Sequence, residues 1–149
     1  TRSDLKSCIA LSERIDRQQR HVKRQEQILQ SQKRVMDNLD SRLDSLDFQY
    51  NIAVTNVRSC QIMNPNSSCT FQSNKVRRLA NEYNSTLDRL SREENDFNSK
   101  LPDYNRDVRE KDRNFDRINR QCYGNRKFRD TYFEELCGNN NTMFCEDNR

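Results

Sequence analysis

The sequence predicts an all-α protein: a long antiparallel helical hairpin, coiled-coil-like, with a short C-terminal helix and three disulfide staples. Three observations predict it. Apolar residues recur every seven positions along two long segments, Gly and Pro number only two each in 149 residues, and one antiparallel register brings the cysteines together in pairs. Composition alone points the other way. At 32% hydrophobic and 34% charged, with no Trp, the chain lies near the signature of disorder. Disordered linkers are rarely so poor in both Gly and Pro, and a random coil has no need of a seven-residue period. The length suits a single domain, residues 1–149, with an economical core.

The first helix is expected over residues 1–62. One seam position holds Cys8, Ile15, Val22, Leu29, Met36, Leu43, Tyr50 and Val57. Three residues on, its companion holds Leu11, Gln18, Gln25, Gln32, Leu39, Leu46, Ala53 and Cys60. The series never slips, and two buried positions in seven suit a coiled-coil seam. The three consecutive glutamines weaken that seam, and polar seam residues commonly fix register at some cost in stability.

Residues 63–69 form the turn, because Asn64 to Cys69 reads NPNSSC, a cluster of helix breakers and turn formers. The second helix is expected over 70–122. One of its positions holds Ala80, Leu87, Glu94, Leu101, Val108, Phe115 and Cys122. The other holds Cys69, Val76, Tyr83, Leu90, Phe97, Tyr104, Lys111 and Ile118. Pro102 removes one backbone hydrogen bond, so a kink is expected near 102 without a break in phase.

Two antiparallel helices oppose residues whose numbers add to a constant. Cys60 with Cys69 and Cys8 with Cys122 satisfy the same constant to within about a turn, although six cysteines allow fifteen connectivities. Cys60–Cys69 then staples the turn and Cys8–Cys122 the open end. Cys137–Cys145 is left to close a small loop. The register also sets Gln25 near Tyr104 and Gln18 near Lys111.

The tail, residues 123–149, differs in kind. Phe128, Tyr132, Phe133 and Leu136 make a short amphipathic helix ending at Gly138, a residue suited to a C-terminal cap. It is expected to fold back over the open end of the hairpin; the other reading is an exposed aromatic patch.

Chemistry-bearing motifs are missing. No G-x-S-x-G, Gly-rich phosphate loop or H-E-x-x-H occurs, and His21, the sole histidine, sits beside Arg20 and Lys23 as a solvated surface residue. No cysteine lies in a C-x-x-C pair, which disfavours zinc. No enzyme activity, metal or cofactor is expected. No apolar run is long enough for a transmembrane helix. Thr1 in place of an initiator Met reads as a processed or excised segment. Paired cysteines and the sequons at Asn66, Asn84 and Asn140 favour a secreted, extracellular glycoprotein, which disfavours nucleic acid as a partner.

Charge is more informative. Residues 1–34 carry nine Lys/Arg against four Asp/Glu, and residues 105–129 carry the same nine against four. Residues 35–100 carry eight against nine, and 130–149 carry one against five. The hairpin register lays the two basic segments side by side. The candidate partner-binding residues are therefore Arg17, Arg20, Lys23 and Arg24 on the first helix, with Arg106, Arg109, Arg113, Arg117 and Arg120 on the second. Arg106, Arg113 and Arg120 share one position, read as a stripe facing away from the seam. Such a surface suits an extended anionic or charge-patterned partner.

The spread of Cys8, Cys60, Cys69, Cys122, Cys137 and Cys145 over long polar heptads resembles the helical portion of the mosquito salivary collagen-binding antiplatelet proteins, the aegyptin and anopheline antiplatelet protein group. The resemblance covers Cys8 through Cys145. It implies collagen as partner and inhibition of collagen-induced platelet adhesion and aggregation, and it assigns no binding residues. Other readings are a salivary inhibitor of complement or coagulation acting on other extracellular host proteins, a glycosaminoglycan or membrane-surface binder using the basic half, and a structural spacer.

Overall fold

The computed structural model describes residues 1–123 and 130–147, with side chains from 133 onward in the second stretch. Its elements are α1 (Arg2–Met63), α2 (Thr70–Gln121), α3 (Asp130–Cys137) and α4 (Met143–Asp147), and no strand occurs among the described residues. The two long helices pack together as the expected hairpin. Their ends match the heptad reading to within one or two residues.

The termini of the helices follow from local chemistry. Thr1 caps α1, its Oγ1 accepting from the Asp4 N–H at 3.2 Å. At the other end Pro65 cannot extend the helix, and the Ser67 N–H closes a turn onto the Asn64 carbonyl at 2.9 Å. Cys69 then takes a left-handed conformation, φ 47°, which costs an L-residue about 1–2 kcal/mol. The Cys60–Cys69 bridge holds it there, with Cα atoms 6.1 Å apart, and its carbonyl accepts the α2 bond from the Ser73 N–H. Helix α2 runs on through Pro102. Pro102 and Asn98, whose carbonyl loses its donor, are both exposed, so the freed group lies on the solvent side of the helix.

Packing divides the chain into two compact units, residues 1–28 with 101–149 and residues 29–100. In the second unit, Leu39, Leu43 and Leu90 form one cluster, with Val35, Met36 and Tyr83 against it. Leu46, Ala53 and Leu79 form another, joined by Tyr50, Val76 and Tyr83. Every α1 seam residue here is buried or half-buried, as the heptads require. The α2 seam departs from expectation. Leu87 is 41% exposed and Glu94 is exposed, whereas Leu79 is 4% exposed and Thr86, Glu93 and Lys100 are half-buried. The α2 position that faces α1 beside Val76, Tyr83 and Leu90 is thus the one at 79, 86, 93 and 100. It is mostly polar because it answers Gln32, which is itself buried: the Gln32 amide donates to Asp96 Oδ2 at 2.6 Å and to Glu93 at 3.3 Å.

In the first unit the core is broader. Leu5, Cys8, Ile9, Leu11, Ile15, Ile118 and Cys122 join Cys137, Phe144 and Cys145, with Phe115, Tyr123, Phe133, Leu136 and Met143 packed against them. Burial at Leu5, Ile9 and Ser12 widens the α1 face beyond two positions in seven, because the tail covers α1 as well as α2 does. This bears out the folded-back reading of the tail for Phe133 and Leu136. Phe128 and the side chain of Tyr132 lie outside the described residues. Gly138 ends α3 for a steric reason: a Cβ there would meet the Glu134 carbonyl oxygen at 2.6 Å, the atom that accepts the Gly138 N–H at 3.0 Å. Helix α4 was not foreseen. Thr142 caps it, its Oγ1 accepting from the Cys145 N–H at 3.4 Å, and the Phe144 N–H donates to the buried Ser12 Oγ at 2.9 Å. All three expected bridges form, Cys8–Cys122 and Cys137–Cys145 with Cα separations of 5.7 and 5.4 Å.

Candidate partner-binding surface

The nine basic residues singled out by charge all belong to the first unit, and all are exposed. Helical spacing gathers them. Arg17, Arg20 and Arg24 recur at intervals of three and four, so they share a face of α1, and Arg106, Arg109, Arg113, Arg117 and Arg120 do the same on α2. Arg17 and Arg106 line one open cleft of about 400 Å³ together with His21, Asp107 and Glu110. Arg117 shares a second cleft with Arg14, a residue that the sequence reading passed over.

Among the described residues, Arg106 alone of the nine takes ion-pair partners, Asp103 at 3.0 Å and Asp107 at 3.4 Å. The tail carboxylate that pairs with α1 does so elsewhere, Glu135 taking Arg2. Among the described residues, Arg117 is tied to Gln121, at 3.4 Å. The remaining guanidinium and ammonium groups take no ion-pair partner among the described residues, which leaves their donors available to an anionic partner. Arg106, Arg113 and Arg120 are all exposed, and the long Arg106 side chain also lines the cleft beside Arg17 and His21.

That interface is polar. Gln18 Oε1 accepts from Asn114 Nδ2 at 2.9 Å, and Gln25 Nε2 donates to Asp107 Oδ2 at 2.8 Å. The partners lie three residues further along α2 than Lys111 and Tyr104, the expected ones. Side chains on a helix lean toward its own N-terminus, and on an antiparallel partner that direction leads to higher residue numbers. His21, half exposed, is more than a solvated residue: its Nε2 lies 3.1 Å from the same Asp107 oxygen. Gln25 Oε1 is buried and meets no donor among the described residues, a cost of burying amides in a seam.

Two carboxylates are tuned by these contacts. For Asp107, burial pushes the pKa up, but hydrogen bonds from Gln25 and His21 and the charge of Arg106 outweigh it and leave the group below its ordinary 3.8. Asp96 is also held below 3.8, by the hydrogen bond from Lys100 at 2.6 Å and then by Gln32. A carboxylate with a depressed folded pKa stabilises the fold above its unfolded value, and the contribution is lost as pH falls below 3.8 toward the folded values. The thermal midpoint should therefore drop on acidification through that window. An Asp96→Asn/Asp107→Asn variant should show a shallower drop when melting is followed by circular dichroism, and equal slopes would refute the assignment.

The sequons occupy different settings. Asn66 and Asn84 are exposed, although Asn84 also lines a cleft with Asp47, Tyr50 and Tyr83. Asn140 is half-buried, its Nδ2 donating to Glu13 at 3.4 Å and its Oδ1 accepting from the Thr142 N–H at 3.2 Å. A glycan on that nitrogen would have to displace the bond to α1.

Among the described residues, no group of three His, Cys, Asp or Glu side chains is placed to hold a metal ion, and no helix is long and apolar enough to cross a membrane. No family model, curated protein or solved structure matches the chain.

Proposed function

We propose that this is a secreted, non-enzymatic collagen-binding protein that inhibits collagen-induced platelet adhesion and aggregation, and that the basic surface of the first unit meets the collagen. The observation that carries the reading is the set of exposed cations on α1 and α2, of which Arg106 alone is ion-paired among the described residues. The resemblance to the salivary antiplatelet proteins supplies the target. Three disulfides support an oxidising, extracellular setting.

Collagen is a stiff triple helix whose X and Y side chains project outward. Helical faces present cations at fixed intervals, so binding orders no loop and loses little entropy. Each charge at the rim contributes about 0.2–1 kcal/mol if it behaves as an exposed ion pair, so single substitutions are a poor test. Replacing Arg106, Arg113 and Arg120 together by Gln should weaken binding to fibrillar collagen about tenfold, with the helical circular dichroism unchanged. Full-strength binding by the triple variant across a range of salt would reduce the stripe to a solvated face, and a parent chain that ignores collagen would end the collagen reading. The same cations favour a sulfated glycosaminoglycan as the second reading. Retention on heparin with steep salt dependence, without collagen binding, would select it.

A further inference from the structure

We propose that the apex of the second unit, where α1 turns into α2, docks on the surface of an anionic phospholipid bilayer. This inference is independent of the basic surface described above and uses none of its residues.

Ile62, Met63 and Phe71 are 78%, 78% and 80% exposed, more than any other large apolar side chain among the described residues. The remaining exposed ones, Ile28, Phe48, Ile52 and Leu87, lie along the flanks of the helices. Those three flank the Cys60–Cys69 bridge, at the last turn of α1 and the first of α2. They have no hidden alternative. The bridge and the backbone bonds from Asn64 to Cys60 and from Ser73 to Cys69 hold both helix ends in place, so the apex cannot collapse to bury them. A persistent apolar projection of this kind marks a surface that something covers.

Charge identifies the cover. Between Asp47 on α1 and Glu82 on α2 the chain contains no Asp or Glu, but it contains Arg58, Lys75, Arg77 and Arg78. All four are exposed. The acids are dense just beyond that limit, with Asp37, Asp40, Asp44 and Asp47 on α1 alone. At a rise of 1.5 Å per residue, the four cations stand roughly 6–11 Å behind the apolar tip along the helices. That offset matches a side chain buried about 5–10 Å into the headgroup and acyl boundary, which would put the cations at the lipid phosphates. Cations near such a surface each strengthen binding about fivefold, and the effect falls away within a Debye length. An apolar tip backed by cations with no nearby acid fits a negatively charged, deformable surface.

The test uses the whole disulfide-bonded chain with Asn66→Gln, because a glycan on Asn66 would stand on this apex. The chain should sediment with vesicles of phosphatidylcholine containing phosphatidylserine and remain in solution with phosphatidylcholine alone. Ile62→Ser/Met63→Ser/Phe71→Ser should lower partitioning at least tenfold, about 1.4 kcal/mol. Arg58→Gln/Lys75→Gln/Arg77→Gln/Arg78→Gln should lower it by roughly 600-fold at low salt, about fivefold for each cation removed. All the substituted side chains are exposed or lie outside the two hydrophobic clusters, and unchanged circular dichroism checks the fold. The chain has no Trp, so Phe71→Trp adds one reporter. Its emission should shift to the blue on phosphatidylserine vesicles and be quenched by brominated acyl chains. Failure to sediment, sedimentation that the apex triple variant leaves intact, or a Trp that stays in water would each overturn the proposal. So would membrane binding that is abolished by Arg106→Gln/Arg113→Gln/Arg120→Gln, which would assign it to the basic surface. Loss of collagen binding alone leaves this result untouched, so the two readings fail separately.

Discussion

Replacing Cys8 and Cys122 together by Ala should lower the unfolding free energy by about 4–5 kcal/mol, the larger of the two disulfide effects in the long helices. The bridge joins residues 114 apart in sequence, whereas Cys60–Cys69 joins residues nine apart. If the stabilisation comes from restricting the unfolded chain, it grows with the logarithm of loop length, and the short bridge is worth roughly 2.5 kcal/mol. The seam explains why the long bridge matters. Between Gln18 and Gln32 the α1 companion position holds amides, and hydrogen bonds there merely replace those made to water. The apolar burial near Cys8, at Leu5, Ile9, Leu11 and Ile15, depends on α2 being held within reach. Each cysteine is also only 3% exposed within that cluster, so its loss removes packing as well as the cross-link. Urea unfolding followed by circular dichroism measures both double variants. A Cys8→Ala/Cys122→Ala midpoint at or above that of Cys60→Ala/Cys69→Ala would show that the unfolded chain is not what the long bridge restrains.

Much of this fold is written in spacing. The unbroken seam from Cys8 to Cys60 located α1, and NPNSSC located the turn. Two cysteine pairs with one register located α2 against α1. What spacing could not reveal was the polar half of the interface. A search for apolar periodicity assigned α2 the series through Leu87 and Glu94, because it holds more apolar residues than the series through Thr86, Glu93 and Lys100. Yet three glutamines on α1 require donors and acceptors opposite them, and the second series supplies these. Matching polar positions across the register would have recovered it. Helix α4 was illegible for another reason. Five residues cannot sustain a helix by propensity; a cap from Thr142, the Cys137–Cys145 bridge and a hydrogen bond to Ser12 hold it in place. The candidate basic surface was legible as composition, but its pairing state was not, since that depends on which carboxylates fold beside it.

Phe144→Ala should cost about 3–5 kcal/mol, close to the loss expected for the long bridge although it alters a residue near the end of the chain. Phe144 is fully buried. Its ring meets Tyr123 edge to face, with centroids 5.4 Å apart and planes at 69°, a geometry worth about 0.5–1.5 kcal/mol beyond burial. It shares one core with Leu5 and Ile9 of α1 and Ile118 of α2, so truncation opens a cavity in the cluster that joins both helices to the tail. The backbone cannot simply follow the lost ring. The Phe144 N–H is bonded to Ser12, and Cys145 is bridged to Cys137, which hold α4 at its present height. A site that cannot collapse shows the full cavity penalty. Tyr123 reports on the outcome. Burial, and then its hydrogen bond to Asp147 at 3.0 Å, push its phenol well above the ordinary value of 10.0, so a Tyr123 released to solvent should titrate closer to that value. Phe144→Leu keeps much of the volume and should lose less than half as much stability. If Phe144→Ala costs under about 1 kcal/mol and leaves the Tyr123 titration unmoved, then α4 is not seated in the core and the tail is not what completes the first unit.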